Sequence, residues 1–287
     1  MGNSSITEFP IGTFIPDKRL GQNFLLDQDK INAIVLGSNI DKNTLVIEIG
    51  PGLGAITFPL AKKAGRVIAI ELDERLICPL RERARDFENV EIIHSDILDA
   101  DLNSIIRENK RAYDLRSAKI VSNIPYYITS PIIVKLFEEK AAVESITLLL
   151  QKEAAERLTA LPGTEKASSL TYLVNYYSDV RFITDIGRSC FYPVPSVDSA
   201  VIRMDILQKP RVKVSDEVFF FHCLRTCFTY RYAMIPNALL MLGTYKKEEI
   251  ILALLRADIG LRRKAESLTM EEYAGLTEEL IAVNGSI

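Results

Sequence analysis

Asn123-Ile124-Pro125-Tyr126 places two oxygen acceptors beside an aromatic ring, directly after a short β-branched run. The Asn123 side-chain oxygen and the Pro125 carbonyl can each accept one hydrogen of an exocyclic amine. Tyr126 can stack on the ring that carries the amine. The lone pair of an adenine N6 is delocalised into its ring, which makes the nitrogen a poor nucleophile. Two acceptors on its hydrogens aim the lone pair outward and favour tetrahedral nitrogen, so positioning and electrostatics can supply most of the rate of an alkylation. No strong base is needed, because the alkylated nitrogen is cationic and sheds its proton. The base must first leave its helix to reach such a turn. The bland alternative is an Asn-Pro turn at a strand end.

A second group of residues suits an adenosine-bearing ligand. Gly50-Pro51-Gly52-Leu53-Gly54 follows an apolar run and leads toward a helix. Glycines are needed where a ligand approaches the backbone closely. With Ala55 the run also fits the dinucleotide fingerprint. Glu71, roughly 20 residues on, can accept hydrogen bonds from both hydroxyls of a ribose, with Leu72 beside it. Asp96 can accept the amino hydrogens of an adenine while Ile97 covers the ring, or it can simply cap a helix. These residues leave a nicotinamide and a methyl donor both open; the Asn123 turn favours the methyl donor.

Such residues need a frame that brings them to one edge. Residues 45–49, 66–71, 90–94, 120–122 and 145–150 read as strands, with helix-length segments such as 73–87 and 131–140 between them. This alternation predicts a parallel sheet with helices on both faces, an α/β domain whose ligands bind at the carboxyl ends of the strands. Residues 180–186 and 199–206 read as further strands, and 217–228, 246–256 and 270–283 as helices. The expected organisation is a lead-in over 1–17, a ligand-binding domain over 18–208 and a small all-helical domain over 209–287.

The chain has 287 residues, 48% of them hydrophobic, and a formal net charge of −3. That supports one full α/β domain plus an appendage. An acidic balance counts mildly against a nucleic-acid partner, without excluding a local basic face. Cys78, Cys190, Cys223 and Cys227 form no Cys-x-x-Cys pair, which fits a reducing cytosol. Cys223 and Cys227 with His222 offer too few ligands for zinc, so buried thiols and no metal are expected. No apolar run reaches the length of a membrane span, and residues 1–14 show no signal or transit pattern.

In these motifs, in their order and in their spacing, the sequence resembles the ribosomal RNA adenine N6-dimethyltransferases of the small-subunit type. The resemblance runs from about Lys18 to Leu280. It includes Leu20-Gly21-Gln22-Asn23-Phe24-Leu25, Gln151-Lys152-Glu153, Leu161-Pro162-Gly163-Thr164, and the stretch from Phe191-Tyr192-Pro193 to Val197-Asp198-Ser199. It implies a Rossmann-like class I methyltransferase sheet and S-adenosyl-L-methionine as cofactor, held by Gln22, Asn23, Leu25, Gly50, Glu71, Asp96 and Asn123. Gly52, Leu72 and Ile97 complete the expected cofactor set. Asn123, Pro125, Tyr126 and Phe191 form the expected catalytic set. The resemblance has Phe191 stacking on the target adenine opposite Tyr126; by itself Phe191 could equally be a core aromatic before prolines. The implied substrate is a pair of adjacent adenosines in the 3′-terminal hairpin of small-subunit RNA, each dimethylated, during subunit assembly. A cytoplasmic monomer is expected.

Two departures touch RNA docking. After Phe228 the family carries an Arg-Arg-Lys run with another Arg beyond; here the segment reads Tyr230-Arg231-Tyr232-Ala233-Met234-Ile235-Pro236-Asn237. Ala167-Ser168 stands where the family prefers Tyr-Gly. The rival readings are the large-subunit branch, which gives macrolide resistance and typically has Asn where this chain has Tyr127, and a non-catalytic RNA-binding assembly factor.

Overall fold

A computed structural model describes residues 14–17 and 20–284. Of the expected lead-in only its last four residues are described, and the domain start at Lys18 lies outside the described residues.

The chain runs β1 (Phe24–Leu25), α1 (Gln28–Gly37), β2 (Thr44–Ile49), α2 (Thr57–Lys63), β3 (Arg66–Glu71), α3 (Glu74–Ala84), β4 (Val90–His94), α4 (Leu102–Ala112) and β5 (Ser117–Asn123). It continues through α5 (Thr129–Glu138), β6 (Ser145–Gln151), α6 (Lys152–Thr159), α7 (Ser169–Tyr177), β7 (Ser178–Ile186), β8 (Phe191–Tyr192) and β9 (Ser199–Ile206). Four helices follow: α8 (Glu217–Thr229), α9 (Ile235–Leu240), α10 (Lys247–Arg256) and α11 (Met270–Asn284).

Seven strands form one sheet in the order β4-β3-β2-β5-β6-β9-β7. β2 pairs in parallel with β3 on one side and β5 on the other. β4 and β6 extend the parallel arrangement outward. Strands covered on both faces read as near-continuous apolar runs, and every residue of β2 and β3 is buried. This explains why they were legible. Chain order reverses between β2 and β5, and the crevice at such a reversal is where open α/β sheets bind ligands. A separate antiparallel pair, β1 with β8, sets Leu25 against Phe191 and Phe24 against Tyr192.

Helix starts are marked by acidic caps. Asp73, Asp101 and Asp216 each accept a backbone N–H in the first turn of α3, α4 and α8, satisfying donors the helix leaves unpaired. The α7 start is a capping box between Ser168 and Thr171.

By compactness the chain forms two units. Among the described residues, one comprises those up to Ala155 with Phe182–Arg203; the other comprises Glu156–Arg181 with those from Met204 to residue 284. The expected boundary after residue 208 would put α6, α7 and the start of β7 with the sheet domain. In the structure residues 156–181 group with the C-terminal helices instead. Within that second unit Tyr172 accepts the Gly163 N–H and donates to the Leu268 carbonyl, and α7 packs on α8. Cys223 and Cys227 are fully buried in α8. Among the described residues no helix is long and apolar enough to cross a membrane.

Candidate active site

All ten residues of the expected cofactor set line one cavity at the carboxyl ends of β2, β3 and β5: Gln22, Asn23, Leu25, Gly50, Gly52, Glu71, Leu72, Asp96, Ile97 and Asn123. Parallel pairing of β2, β3, β4 and β5 brings seven of them to one edge, and Gln22, Asn23 and Leu25 come from the segment that enters and forms β1.

The turn after β2 is built on positive φ. Gly52 sits at φ +57°, and a Cβ there would lie 3.1 Å from the Phe24 ring. Gly54 sits at φ +79°, where a Cβ would run into the Phe58 ring. Neither position accepts a side chain without strain. The Gly52 N–H donates to Glu71 Oε2 at 3.0 Å, and the Asp73 N–H donates to Glu71 Oε1 at 2.8 Å. Glu71 is thereby aimed, with lone pairs left for a ligand's hydroxyls. Its burial raises its pKa, and those two backbone N–H groups offset only part of the rise. Asp96 Oδ1 accepts the Leu98 N–H at 2.8 Å. One oxygen thus caps the turn, and Oδ2 accepts no hydrogen bond among the described residues. Both readings of Asp96 are compatible with this geometry.

Asn123 closes β5. Its Nδ2 donates to the Asn23 carbonyl at 3.2 Å. A carbonyl can only accept, so the amide must present its Nδ2 there and its Oδ1 is the atom left for another donor. The Pro125 carbonyl is differently placed from expectation. It accepts the Ile128 N–H at 3.2 Å and the Thr129 hydroxyl at 3.4 Å as the chain turns into α5. No hydrogen bond to the Ile124 carbonyl is made by the described residues, and Ile124 also lines the cavity. Tyr126 lines the cavity too, and its hydroxyl lies 2.8 Å from Ser199 Oγ at the start of β9. Burial raises the pKa of Tyr126, and the Ser199 hydrogen bond partly offsets it.

Phe191 is not brought to this cavity. It is 2% exposed and packs in the core cluster with Leu25, Ile34 and Val201. Pairing of β8 with β1 holds it there, so in this conformation it offers no face to a base. The core reading describes where it sits.

Three residues here escaped the sequence reading. Ser199 steadies Tyr126. Asp73 accepts Gln22 Nε2 at 2.7 Å. Glu48 is buried in β2, lines the cavity, and carries an Oε2 with no hydrogen-bond partner among the described residues. Burial pushes the Glu48 pKa from an ordinary 4.5 up to about 8, with the Thr57 hydroxyl opposing the rise and the charge of Glu71 adding to it. The signal for Glu48 was present: it is the one charged residue in β2. Unpartnered buried polar atoms are costly, so a buried carboxyl with one unpartnered oxygen in a cavity is a place where a ligand's cation would favour the ionised form. Among the described residues no cluster of three or more His, Cys, Asp or Glu could hold a metal ion.

The cavity thus joins a half suited to an adenosine-bearing, cationic molecule with a turn suited to an amine, at the reversal of strand order in a parallel sheet. By fold and site this is a class I methyltransferase. The family model for ribosomal RNA adenine dimethylase matches residues 16–281, and the chain belongs to that family; it is an enzyme, and its methyl donor is S-adenosylmethionine. It is 43% identical to ribosomal RNA small subunit methyltransferase A of Clostridium acetobutylicum, over 92% of this chain and 93% of that one. It is 41% identical to the protein of the same name from Alkaliphilus oremlandii, over 92% and 91%. Among solved structures, a dimethyladenosine transferase from Plasmodium falciparum matches with TM-score 0.74 and 25% identity, over 91% of this chain and 98% of that one. The 23S rRNA methyltransferase ErmE matches with TM-score 0.68 and 29% identity, over 90% and 99%.

Proposed function

We propose that the enzyme dimethylates N6 of two adjacent adenosines in the 3′-terminal hairpin of small-subunit ribosomal RNA. It acts as a monomer, in the cytoplasm, on an assembling subunit and without a metal. The observation that carries the chemistry is the Asn123 amide, whose orientation leaves Oδ1 for an N6 hydrogen.

S-adenosylmethionine supplies an electrophilic methyl group on a sulfonium. Glu71 takes the ribose hydroxyls and Asp96 the adenine amine. Ile97 and Leu72 cover the adenine ring, and the backbone at Gly50 and Gly52 lets the ligand approach closely. Gln22, Asn23 and Leu25 wall the other side, and Glu48 faces the cationic end. The target adenine stacks on Tyr126, whose ring Ser199 holds in place. Asn123 Oδ1 and a main-chain carbonyl of the turn accept the two N6 hydrogens. The unengaged Ile124 carbonyl suits that role better than the Pro125 carbonyl. Once a methyl is transferred, the cationic nitrogen loses its proton to water. A monomethylated N6 retains one hydrogen for Asn123, so a second transfer can follow, and two adenosines require four transfers.

The large-subunit reading is weaker, because identity to relatives named for the small subunit exceeds identity to ErmE, 43% against 29%. One assay separates them: methyl transfer from labelled cofactor to unmethylated small and large subunits, with product nucleosides identified and mapped. Dimethyladenosine in the small subunit alone is expected. Label only in the large subunit would overturn the proposal, and no label in either would point to the non-catalytic factor.

A further inference from the structure

We propose that Asp73 is a positioning residue for methyl transfer: through Gln22 it latches the segment Leu20-Gly21-Gln22-Asn23 over the cofactor cavity, and through that segment it sets the orientation of Asn123. The inference rests on the assignment of this cavity to S-adenosylmethionine.

Asp73 is buried, and it does more than cap α3. Its Oδ1 accepts the Arg75 N–H at 3.1 Å and Arg75 Nε at 2.9 Å. Its Oδ2 accepts Arg75 Nη2 at 2.6 Å and Gln22 Nε2 at 2.7 Å. The Arg75 pairing holds the Asp73 carboxyl below its usual range, with the Gln22 bond adding to the effect. It therefore stays an anion, and bonds to it are charge-assisted. The other end of the Gln22 amide accepts the Asp17 N–H at 2.7 Å. Arg75 reaches further along the same segment, donating to the Ile15 carbonyl at 3.3 Å with its guanidinium 4.9 Å from the centre of the Phe14 ring.

The latched segment touches the catalytic turn directly. Gly21 sits at φ +59°, so close to the turn that a Cβ on it would lie 3.2 Å from the Tyr127 ring. Two residues on, the Asn23 carbonyl is the acceptor that fixes the Asn123 amide. The segment runs on into β1, whose two residues, Phe24 and Leu25, pair with β8. Ordering a backbone is entropically unfavourable at every residue, so the polar latch decides whether residues 20–23 stay over the cavity. If they lift, Asn123 loses the partner that turns its oxygen toward the amine. Cofactor retention and amine orientation are coupled through one carboxylate.

Gln22→Glu sets two carboxylates against each other at the latch. Adding Asp73→Asn rebuilds the bond with its polarity reversed, because the amide introduced on α3's cap can donate to the carboxylate introduced on the segment. Two readouts apply: the Kd for S-adenosylmethionine by calorimetry, and the single-turnover rate at saturating cofactor on unmethylated small subunits. Gln22→Glu is expected to raise Kd at least tenfold and to slow the single turnover at least tenfold, with Tm close to the parent's. The double variant is expected to return both to within about threefold, as a coupled pair in a double-mutant cycle should. Asp73→Ser, which can still cap α3 but is too short to reach Gln22, should behave like Gln22→Glu. A folded double variant as impaired as the single one would show that Gln22 acts by its own contact and would overturn the latch. So would parental values in Gln22→Glu, or a raised Kd with an unchanged single-turnover rate. Glu71→Ala tests the underlying assignment: unchanged Kd there removes the cavity as the cofactor site and the latch with it, whereas a weakened Kd upholds the cavity and lets Gln22→Glu alone decide the latch.

Discussion

Asn123 spends one amide hydrogen on the Asn23 carbonyl and keeps its oxygen for the incoming amine. Asn123→Ala should therefore lower single-turnover methyl transfer by about 10²–10³, the usual loss when one preorganised group is removed, while RNA binding holds. A rate within threefold of the parent would dismiss the role. Tyr126 has two functions at different atoms. Its ring suits stacking, at about 1–3 kcal/mol per base, and its hydroxyl is held by fully buried Ser199. Tyr126→Ala should lose both. Tyr126→Phe should keep most turnover but leave Ser199 unpaired, at a cost of about 1–3 kcal/mol in stability. Paired urea titrations and turnover measurements check this; equal loss of turnover in both variants would assign the hydroxyl to chemistry. Glu48 makes a pH prediction. Between its ordinary 4.5 and its folded value of about 8, the folded chain keeps a proton that the unfolded chain has released. Stability therefore falls as pH rises through that window, and Glu48→Gln should flatten the fall. A cationic cofactor favours the ionised carboxylate, so the parent's affinity relative to Glu48→Gln should rise with pH toward 8 and then level. Calorimetry from pH 6.5 to 8.5 would show a pH-independent ratio if Glu48 does not face the cofactor's charge.

At the scale of elements, legibility followed burial pattern. The inner parallel strands were plain because a strand covered on both faces is apolar throughout. α7 was hidden for the opposite reason. Its residues, Ser-Leu-Thr-Tyr-Leu-Val-Asn-Tyr-Tyr, are β-branched or aromatic enough to resemble a strand, and its capping box carries Thr171 at the third helical position in place of the usual Glu or Gln. Ser168, a departure from the family's residue pair, turns out to be its cap, and Ala167 beside it is fully buried. Ser168→Ala should cost about 1 kcal/mol, within the 0.5–2 kcal/mol range for caps, with cofactor affinity unchanged. Urea unfolding measures the first and calorimetry the second; a stability change below about 0.3 kcal/mol would mean the box contributes little.

For the molecule as a whole the open question is how an acidic chain docks on RNA. The surviving cation of the 230–237 segment is committed internally: Arg231 donates to Glu266 and to the Glu165 carbonyl. Arg263 is likewise paired with Glu272. Tyr232 is 82% exposed, so positions 232 and 233 can be tested. Pro236 cannot, since it is buried in the first turn of α9 and an Arg there would bury a charge. Tyr232→Arg with Ala233→Lys should tighten subunit binding and steepen its salt dependence by about two units, at roughly 0.9 per phosphate contact on duplex. Filter binding over a salt series reads both. Unchanged affinity and slope would show that this segment does not face RNA and that Lys246, Lys247, Arg262 or Lys264 carry the basic face instead.

The sequence by itself determined the class of fold, the family, and a set of residues that line one cavity. Gly50, Gly52, Glu71, Leu72, Asp96, Ile97 and Asn123 lie at or just after parallel strand ends, which parallel pairing sends to one edge, whereas Gln22, Asn23 and Leu25 come from the antiparallel β1 segment and are legible only through the family motif. Only the tertiary structure decided how they are held. The Asn23–Asn123 bond spans 100 residues, Tyr126–Ser199 spans 73 and Gln22–Asp73 spans 51, and a hydrogen bond between distant residues leaves no periodicity to read. Phe191 is buried because β8 pairs with β1, and the Pro125 carbonyl is occupied because the chain turns into α5 behind it. Whether a side chain or a carbonyl is free for chemistry depends on what packs against it, and that is settled only when the distant segments meet.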